Sequence, residues 1–148
     1  MIVLGSDHGG FKLKEAIKKY LDEENIKYKD FGTFSEESVD YPIYGQKVAL
    51  EVSSGNFEKG ILFCGTGIGI SIAANKVKGI RAVVGTSEEC VELSRKHNNA
   101  NILCLGGRTT SEKNAKQFVK IFLNTPFDGG RHSRRIDQIT KIENCEVL

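Results

Sequence analysis

The sequence predicts an α/β fold in which helices cover both faces of a parallel sheet. Short apolar runs that end in glycine or polar residues are typical of strands buried on both faces. Longer amphipathic segments separate these runs, and such alternation favours a parallel sheet. A glycine pair, Gly129-Gly130, precedes a last segment in which Ile136, Ile139 and Ile142 recur every third residue. We interpret residues 1–148 as one domain with a C-terminal helical arm.

Five apolar runs are the predicted strands. The first, third, fourth and fifth along the chain are Met1–Leu4, Ile61–Cys64, Ile80–Val84 and Ile102–Leu105. A weaker run, Ile26–Phe31, is the second. Strand order stays open, because alternation alone does not say which strand lies beside which.

The segments between the runs are the predicted helices. The first begins near Gly10, and a later one runs from an N-cap at Ser111 to a stop before Pro126. Three others occupy Tyr44–Val52, Gly69–Lys76 and Ser87–His97. The lysines of the first helix, together with Arg95 and Lys96, are expected on solvated faces.

Composition excludes several classes of protein. A formal charge of +2 with no basic run gives no support for a nucleic-acid partner. The apolar start Met1–Leu4 is too short for a signal peptide or a membrane span. The cysteines lack the spacing of a zinc site or a disulfide framework, which favours a cytoplasmic protein. Packing roles are expected for three of them, Cys90, Cys104 and Cys145.

Polar residues follow three of the predicted strands. Ligands of open parallel sheets bind beyond the carboxyl ends of the strands. The first strand leads into Asp7-His8, the third into Gly65–Gly69 after Cys64, and the fifth into Arg108. We group these residues, with His97-Asn98 at the end of the fourth helix, as one candidate site.

The turn Gly65-Thr66-Gly67-Ile68-Gly69 is the strongest local signal. Its alternating glycines let the backbone approach a ligand, and the helix that follows presents free N–H groups to an anion. Ile70 stands where a dinucleotide fingerprint needs glycine, and where a cysteine phosphatase loop would need arginine. The sequence Gly-Lys-Ser/Thr of a P-loop is missing. A cysteine beside backbone donors suits proton abstraction next to a carbonyl.

Seven motifs in order along the chain resemble the ribose-5-phosphate isomerase B family. Its wider group also contains isomerases of galactose 6-phosphate and allose 6-phosphate. The motifs are Asp7-His8-Gly9-Gly10-Phe11-Lys12, Asp40-Tyr41-Pro42, Cys64-Gly65-Thr66-Gly67-Ile68-Gly69, Ala73-Ala74-Asn75-Lys76, Gly79-Ile80-Arg81-Ala82, Ser94-Arg95-Lys96-His97-Asn98 and Gly129-Gly130-Arg131-His132.

This resemblance implies a three-layer α/β/α sandwich around a five-stranded parallel, Rossmann-like sheet. It also implies interconversion of ribose 5-phosphate and ribulose 5-phosphate through an enediolate, without metal or cofactor. The expected assembly is a homodimer or a homotetramer.

The resemblance also assigns roles to residues of the candidate site. Cys64 corresponds to the base that moves a proton between C1 and C2, and His97 and Asp7 to ring-opening groups. Thr66 joins these catalytic residues. The backbone from Gly65 to Gly69 corresponds to the oxyanion holder. The remaining substrate ligands implied by the resemblance are His8, Tyr41, Gly65, Gly67, Ile68, Gly69, Asn98, Arg108, Arg131 and Arg135.

Other interpretations stay open at this point. Asp7 and His97 could merely cap helix ends, and His132 is expected on the surface. The arginines at the C-terminus could form salt bridges between subunits. Since Arg131 and Arg135 follow the last strand by two dozen residues, we expect a composite site, with Cys64 from one chain and arginines from another. A hexose-phosphate isomerase and a non-catalytic nucleotide-binding module are the competing functions.

Overall fold

The computed structural model describes residues 1–148 as an alternation of strands and helices. The strands are β1 (Ile2–Ser6), β2 (Tyr28–Asp30), β3 (Gly60–Cys64), β4 (Ala82–Val84) and β5 (Ile102–Gly106). The helices are α1 (Phe11–Glu23), α2 (Tyr41–Ser53), α3 (Ile68–Asn75), α4 (Glu88–Lys96), α5 (Glu112–Asn124) and α6 (Arg131–Glu143). All five predicted strands are therefore confirmed, and α2 begins three residues earlier than predicted.

The strands form one parallel sheet in the order β2-β1-β3-β5-β4. The pairing of β3 with β5 defines the two edges of the sheet. Gly60 lies beside Ile102 at the amino edge, and Cys64 lies beside Gly106 at the carboxyl edge. The three inner strands are buried along their whole length, whereas β2 at one edge is partly exposed. This difference explains why the second apolar run was the weakest signal.

Helices cover both faces of the sheet, which confirms the three-layer sandwich. On one face α1, α4 and α5 pack against alternate strand residues such as Leu4, Phe63 and Leu105. On the other face α2 and α3 pack against the intervening residues, including Leu62 and Cys64. None of the helices combines the length and the apolar composition that crossing a bilayer requires.

Helix α6 contributes no buried residue, as expected for an arm. Ile139 and Ile142 of this helix are exposed. Its end is tied to the body of the chain by a hydrogen bond in which the backbone N–H of Gly79 donates to Oε1 of Glu143, at 2.9 Å. Most of its apolar face thus has no partner within the chain.

Two cations expected on solvated faces are buried instead. Lys14 is fully buried, and its ammonium donates to both carboxylate oxygens of Asp30 and to the carbonyl of Thr33. Arg95 is buried because its guanidinium donates to the carbonyls of Thr125 and Ala100. The charge pattern alone does not reveal these acceptors, which come from distant segments.

The Lys14–Asp30 pair has perturbed ionisation. Burial lowers the pKa of Lys14 and outweighs the opposing effect of the hydrogen bonds that Lys14 donates to Asp30. Burial acts in the other sense on Asp30, but hydrogen bonds from Lys14, Gly32 and Lys18 overcome it and hold the pKa of this carboxyl below its usual range. The pKa of both partners therefore lies below its ordinary value in the fold.

The packing role predicted for three cysteines holds for one of them. Cys104 is fully buried on β5, and burial raises the pKa of its thiol. Cys90 and Cys145 are exposed, so the prediction is wrong for both. Cys90 lies in the first turn of α4, and Cys145 follows the end of α6, where neither faces the core.

Candidate active site

Cys64 lies at the carboxyl end of β3, directly before the turn that leads into α3. Its side chain is only 4% exposed, and its Sγ accepts a hydrogen bond of 3.1 Å from the backbone N–H of Gly67. The first turn of α3 adds the partial positive charge of a helix N-terminus. Both features direct positive partial charge towards the sulfur.

The glycine turn has donors that the chain itself leaves unused. The N–H of Gly67 is engaged by Cys64, and that of Ile68 by Oγ1 of Thr66 at 3.2 Å. The N–H groups of Gly65, Thr66 and Gly69 donate to no acceptor of the chain. These three donors therefore remain for an anion bound at the turn.

The backbone of this turn requires glycine at Gly67. Its φ of +77° lies in the left-handed region, which side chains disfavour. A Cβ there would also lie 3.0 Å from the carbonyl carbon of Leu105. The position of the N–H that faces Cys64 thus depends on a residue without a side chain.

Asp7 and His8 follow β1, the strand beside β3. The backbone N–H of Asp7 donates to the carbonyl of Phe63, which places Asp7 next to the cysteine strand. Its Oδ1 accepts a 3.0 Å hydrogen bond from the N–H of Gly10, so one carboxylate oxygen does cap the turn before α1. Helix α1 has Gly10 as its N-cap and no side-chain cap, so the capping interpretation is wrong for the helix itself, and the other oxygen of Asp7 remains for a ligand.

His8 is held in one tautomer when it is neutral. Its Nδ1 accepts a hydrogen bond of 3.1 Å from the backbone N–H of Val39. The proton of the neutral ring must then lie on Nε2, which remains a donor.

Arg108 and Tyr41 flank the turn. The backbone N–H of Arg108 donates to the carbonyl of Gly65, and its guanidinium lies against that glycine. The ring of Tyr41, in the first turn of α2, lies so close to Gly69 that a Cβ there would be 2.7 Å from Cζ. We call the set that meets here the carboxyl-edge group. It consists of Asp7, His8, Tyr41, Cys64, Gly65, Thr66, Gly67, Ile68, Gly69 and Arg108.

The structure places His97 and Asn98 at the opposite edge of the sheet. They follow α4, which runs back to the start of β5, and the carbonyl of Asn98 accepts a hydrogen bond from Nε of Arg81, directly before β4. Strand β5 has five residues, so its four steps of about 3.3 Å put about 13 Å between the two edges. Within one chain, His97 and Asn98 do not meet Cys64.

The arginines of α6 belong with His97. His132 in the first turn of α6 stacks on His97, with ring centroids 4.2 Å apart and planes inclined by 14°. Arg131 and Arg135 lie close enough to His132 to act on its charge. We call His97, Asn98, Arg131 and Arg135 the amino-edge group.

Comparison with known proteins decides the family. The family model described as Ribose/Galactose Isomerase matches residues 2–139. The chain belongs to the ribose/galactose isomerase family. Ribose-5-phosphate isomerase B of Escherichia coli is 48% identical over 142 residues, which cover 96% of this chain and 95% of that one. The resemblance inferred from the seven motifs is confirmed, and the chain is an isomerase.

Solved structures of ribose/galactose isomerase relatives show the same fold. The ribose-5-phosphate isomerase B of Clostridium thermocellum matches with a TM-score of 0.96 at 50% identity, covering 97% of each chain. That of Mycoplasma genitalium, solved with bound ribulose-5-phosphate, matches with a TM-score of 0.91 at 41% identity, covering 97% of this chain and 95% of that one. The five-stranded Rossmann-like sandwich is confirmed.

Two residues at the amino edge had no predicted role in the isomerase. His132 was expected on the surface, but it is partly buried against His97. Partial burial lowers the pKa of His132, and the neighbouring charges of His97 and Arg131 act in the same direction. Asp128 lies beside both rings. The adjacency of His132 to Arg131 in the last motif was the only available signal, and the sequence offers none for Asp128.

Proposed function

We propose that this chain interconverts ribose 5-phosphate and ribulose 5-phosphate, with Cys64 as the base. The observation that supports this most directly is the position of the Cys64 sulfur, at the start of a helix and beside three unused backbone donors. Relatives that match almost the whole chain carry the name ribose-5-phosphate isomerase B, and one was solved with ribulose-5-phosphate bound.

The chemistry requires a base and a holder for negative charge. The Cys64 thiolate removes the proton from C2 of the open-chain aldose, and the electrons move onto the C1 oxygen to form an enediolate. The unused N–H groups of Gly65, Thr66 and Gly69 bind this oxyanion. A positioned donor contributes about 3 kcal/mol to such a transition state, and a general base contributes roughly 10²- to 10⁴-fold in rate. The proton of the C2 hydroxyl then moves to the C1 oxygen, and return of the first proton from the Cys64 thiol to C1 forms the C2 carbonyl of the ketose.

A metal ion is not needed in this scheme. The role that a Lewis acid would have at the developing oxyanion is filled by backbone donors that are already oriented by the turn. Asp7 and His97 are the proposed ring-opening groups, because each can exchange a proton with a sugar oxygen. The neutral His8 presents Nε2–H as a donor to the substrate.

The phosphate of the substrate lies at the end of the sugar away from C1 and C2, and the proposed ligands of this phosphate are cationic side chains. Arg131 and Arg135 are one helical turn apart on α6, so both guanidinium groups can grip one phosphate. Arg108 at the carboxyl edge is a further cation near the turn. Asn98 is the proposed ligand of a sugar hydroxyl.

The two edge groups require a second chain to form one site. About 13 Å of sheet separates them within a chain, and this spacing supports a composite site in which the amino-edge group of one protomer meets the carboxyl-edge group of another. The second chain would then supply His97 and Asn98 to the site as well as the arginines. Exposed apolar side chains in the glycine turn and on α2 and α3 are suited to such an interface. They are Ile43 and Leu50 of α2 and Ile68 and Ile72 of α3.

The base is tested by replacing it and a matched cysteine. Cys64→Ala is expected to lower kcat by roughly 10²- to 10⁴-fold, whereas Cys104→Ala, a change of the same size on the neighbouring strand in the same core, leaves kcat near that of the wild type. Aldose–ketose conversion of ribose 5-phosphate is measured with and without chelator. A fully active Cys64→Ala protein would refute the base, and loss of activity with chelator would refute the metal-free mechanism.

Complementation tests the composite site. Chains with Cys64→Ala and chains with His97→Ala are each nearly inactive. If the site is shared in a twofold dimer, refolding them together restores about a quarter of wild-type activity, because half of the dimers are mixed and one of their two sites is intact. A site contained within one chain would give no recovery at all.

Substrate length is tested directly. We expect kcat/KM to be higher for ribose 5-phosphate than for allose 6-phosphate or galactose 6-phosphate. The reverse order would identify the chain as a hexose-phosphate isomerase of the same family.

A further inference from the structure

The cluster at the end of α4 contains three side chains that ligate metals. One ligand atom each from His97, Asp128 and His132 lies within 4.8 Å of the other two. We propose that this cluster binds a divalent transition metal such as Zn²⁺, and that the bound metal inhibits the enzyme. The inhibitory part rests on the proposed function, whereas the binding part stands on the geometry alone.

The donor set suits a borderline metal. Two imidazoles and one carboxylate are the ligands that zinc and its neighbours take at sites with an open fourth position, whereas magnesium and calcium prefer oxygen ligands alone.

The cluster is close to the size that a metal needs. A four-coordinate zinc with bonds of about 2.0 to 2.1 Å holds its ligand atoms about 3.3 Å apart, so the widest pair must approach by at most about 1.5 Å. The stacked rings must also turn, since one metal cannot lie in the planes of two parallel imidazoles. Rotation of His132 about its Cβ–Cγ bond provides this movement, and this side chain is only partly buried.

The backbone around the three ligands is anchored. The N–H of Asp128 donates to the carbonyl of Lys96 at 3.1 Å, next to His97. The N–H of His132 donates to the carbonyl of Gly129 at 3.2 Å. The backbone of Asp128 is therefore held beside the end of α4, and that of His132 is held in the turn that starts α6.

Neighbouring charges weaken the binding of a cation. The guanidinium groups of Arg131 and Arg135 act on the charge at His132 and would repel a metal there, and the carboxylate of Asp128 opposes them. We therefore expect a site that fills at raised metal concentrations rather than a resident structural metal. Once the metal occupies a nitrogen of His97, that nitrogen can no longer exchange a proton with the sugar, so isomerisation stops.

Binding is measured without reference to turnover. The reference protein carries Cys64→Ser, Cys90→Ser and Cys145→Ser, because these thiols could also bind zinc. Calorimetric titration with Zn²⁺ is expected to give one site per chain, and Co²⁺ is expected to give the visible bands of nitrogen and oxygen ligands without a thiolate charge-transfer band. Adding His132→Gln or Asp128→Asn weakens binding more than about tenfold.

Inhibition is measured on chains that keep their cysteines. Zn²⁺ inhibits the wild type reversibly, and a chelator restores the rate. His132→Gln retains a rate that is insensitive to the same Zn²⁺ concentration. Unchanged zinc affinity in both ligand variants would overturn the site, and equal inhibition of His132→Gln would overturn its role. If the chain binds zinc as described but isomerises no sugar phosphate, the proposed function fails while the metal site stands.

Discussion

The substitution Gly67→Ala tests whether activity depends on the shape of the glycine turn, apart from the general loss of stability when a side chain adopts a left-handed conformation. Glycine at φ +77° is replaced by a residue that pays about 1–2 kcal/mol to adopt this conformation. The new Cβ would also lie 3.0 Å from the carbonyl carbon of Leu105, so the turn must shift by a few tenths of an ångström. That shift moves the N–H that donates to the Cys64 sulfur and the unused donors beside it.

Gly55→Ala is the matched control. Gly55 has a similar φ of +83°, but a Cβ there would meet no atom within 4 Å. Both variants are expected to lose about 1–2 kcal/mol of unfolding free energy in urea titrations. Only Gly67→Ala should also lose activity, by up to about 100-fold in kcat, since misplacement of a reacting group by about 1 Å can cost that much.

Two results would refute this reasoning about the turn. A Gly67→Ala protein that turns over ribose 5-phosphate at the wild-type rate would show that the position of the Gly67 N–H is unimportant. An equal loss of kcat in Gly55→Ala would show that the effect is one of stability alone.

Two further predictions concern stability. The pKa of Asp30 is held below its usual range in the fold, so the carboxylate stabilises the folded state fully above about pH 4, the pKa in the unfolded chain. This stabilisation is lost as the pH falls through the lower folded pKa. Asp30→Asn should flatten this acid dependence in urea titrations and cost about 3 kcal/mol of unfolding free energy at pH 7, because Lys14 stays buried without its partner. If the stability of Asp30→Asn fell at acid pH in the same way as that of the wild type, the attribution of this pH dependence to Asp30 would be wrong. Phe122→Ala removes a fully buried ring from α5 and should cost about 3–5 kcal/mol of unfolding free energy. The control Val147→Ala, at a 98% exposed position, should cost less than about 0.5 kcal/mol. Equal midpoints of thermal unfolding in the two variants would contradict this prediction.

Much of the fold could be predicted because strands buried on both faces leave an apolar run. The runs of β1, β3 and β5 are continuous for this reason. Strand β2 was weaker because it lies at an edge, where Tyr28 and Asp30 are partly exposed. The start of α2 was missed because its first turn contains Pro42, which is favoured there although it ends helices elsewhere.

The site was predictable only in part. The rule that ligands bind at the carboxyl ends of strands placed Asp7, Cys64 and Arg108 together. The rule does not apply to His97, because this residue follows the end of a helix. A helix that leads back to the next parallel strand ends at the amino edge of the sheet, opposite the edge where Cys64 lies. That direction could have been inferred from the sequence. The stacking of His97 on His132 could not, because it depends on where α6 lies against the end of α4.

Helix α6 has a consequence for how the chain behaves when diluted. It has thirteen residues and buries none of them, and isolated helices of this length are marginal in water. We therefore expect its amide hydrogens to exchange with solvent quickly in dilute protein and slowly in concentrated protein, while those of β3 stay protected throughout. Because Arg131 and Arg135, the proposed phosphate ligands, lie on this helix, their ordering would depend on chain concentration, and so would the KM of the enzyme.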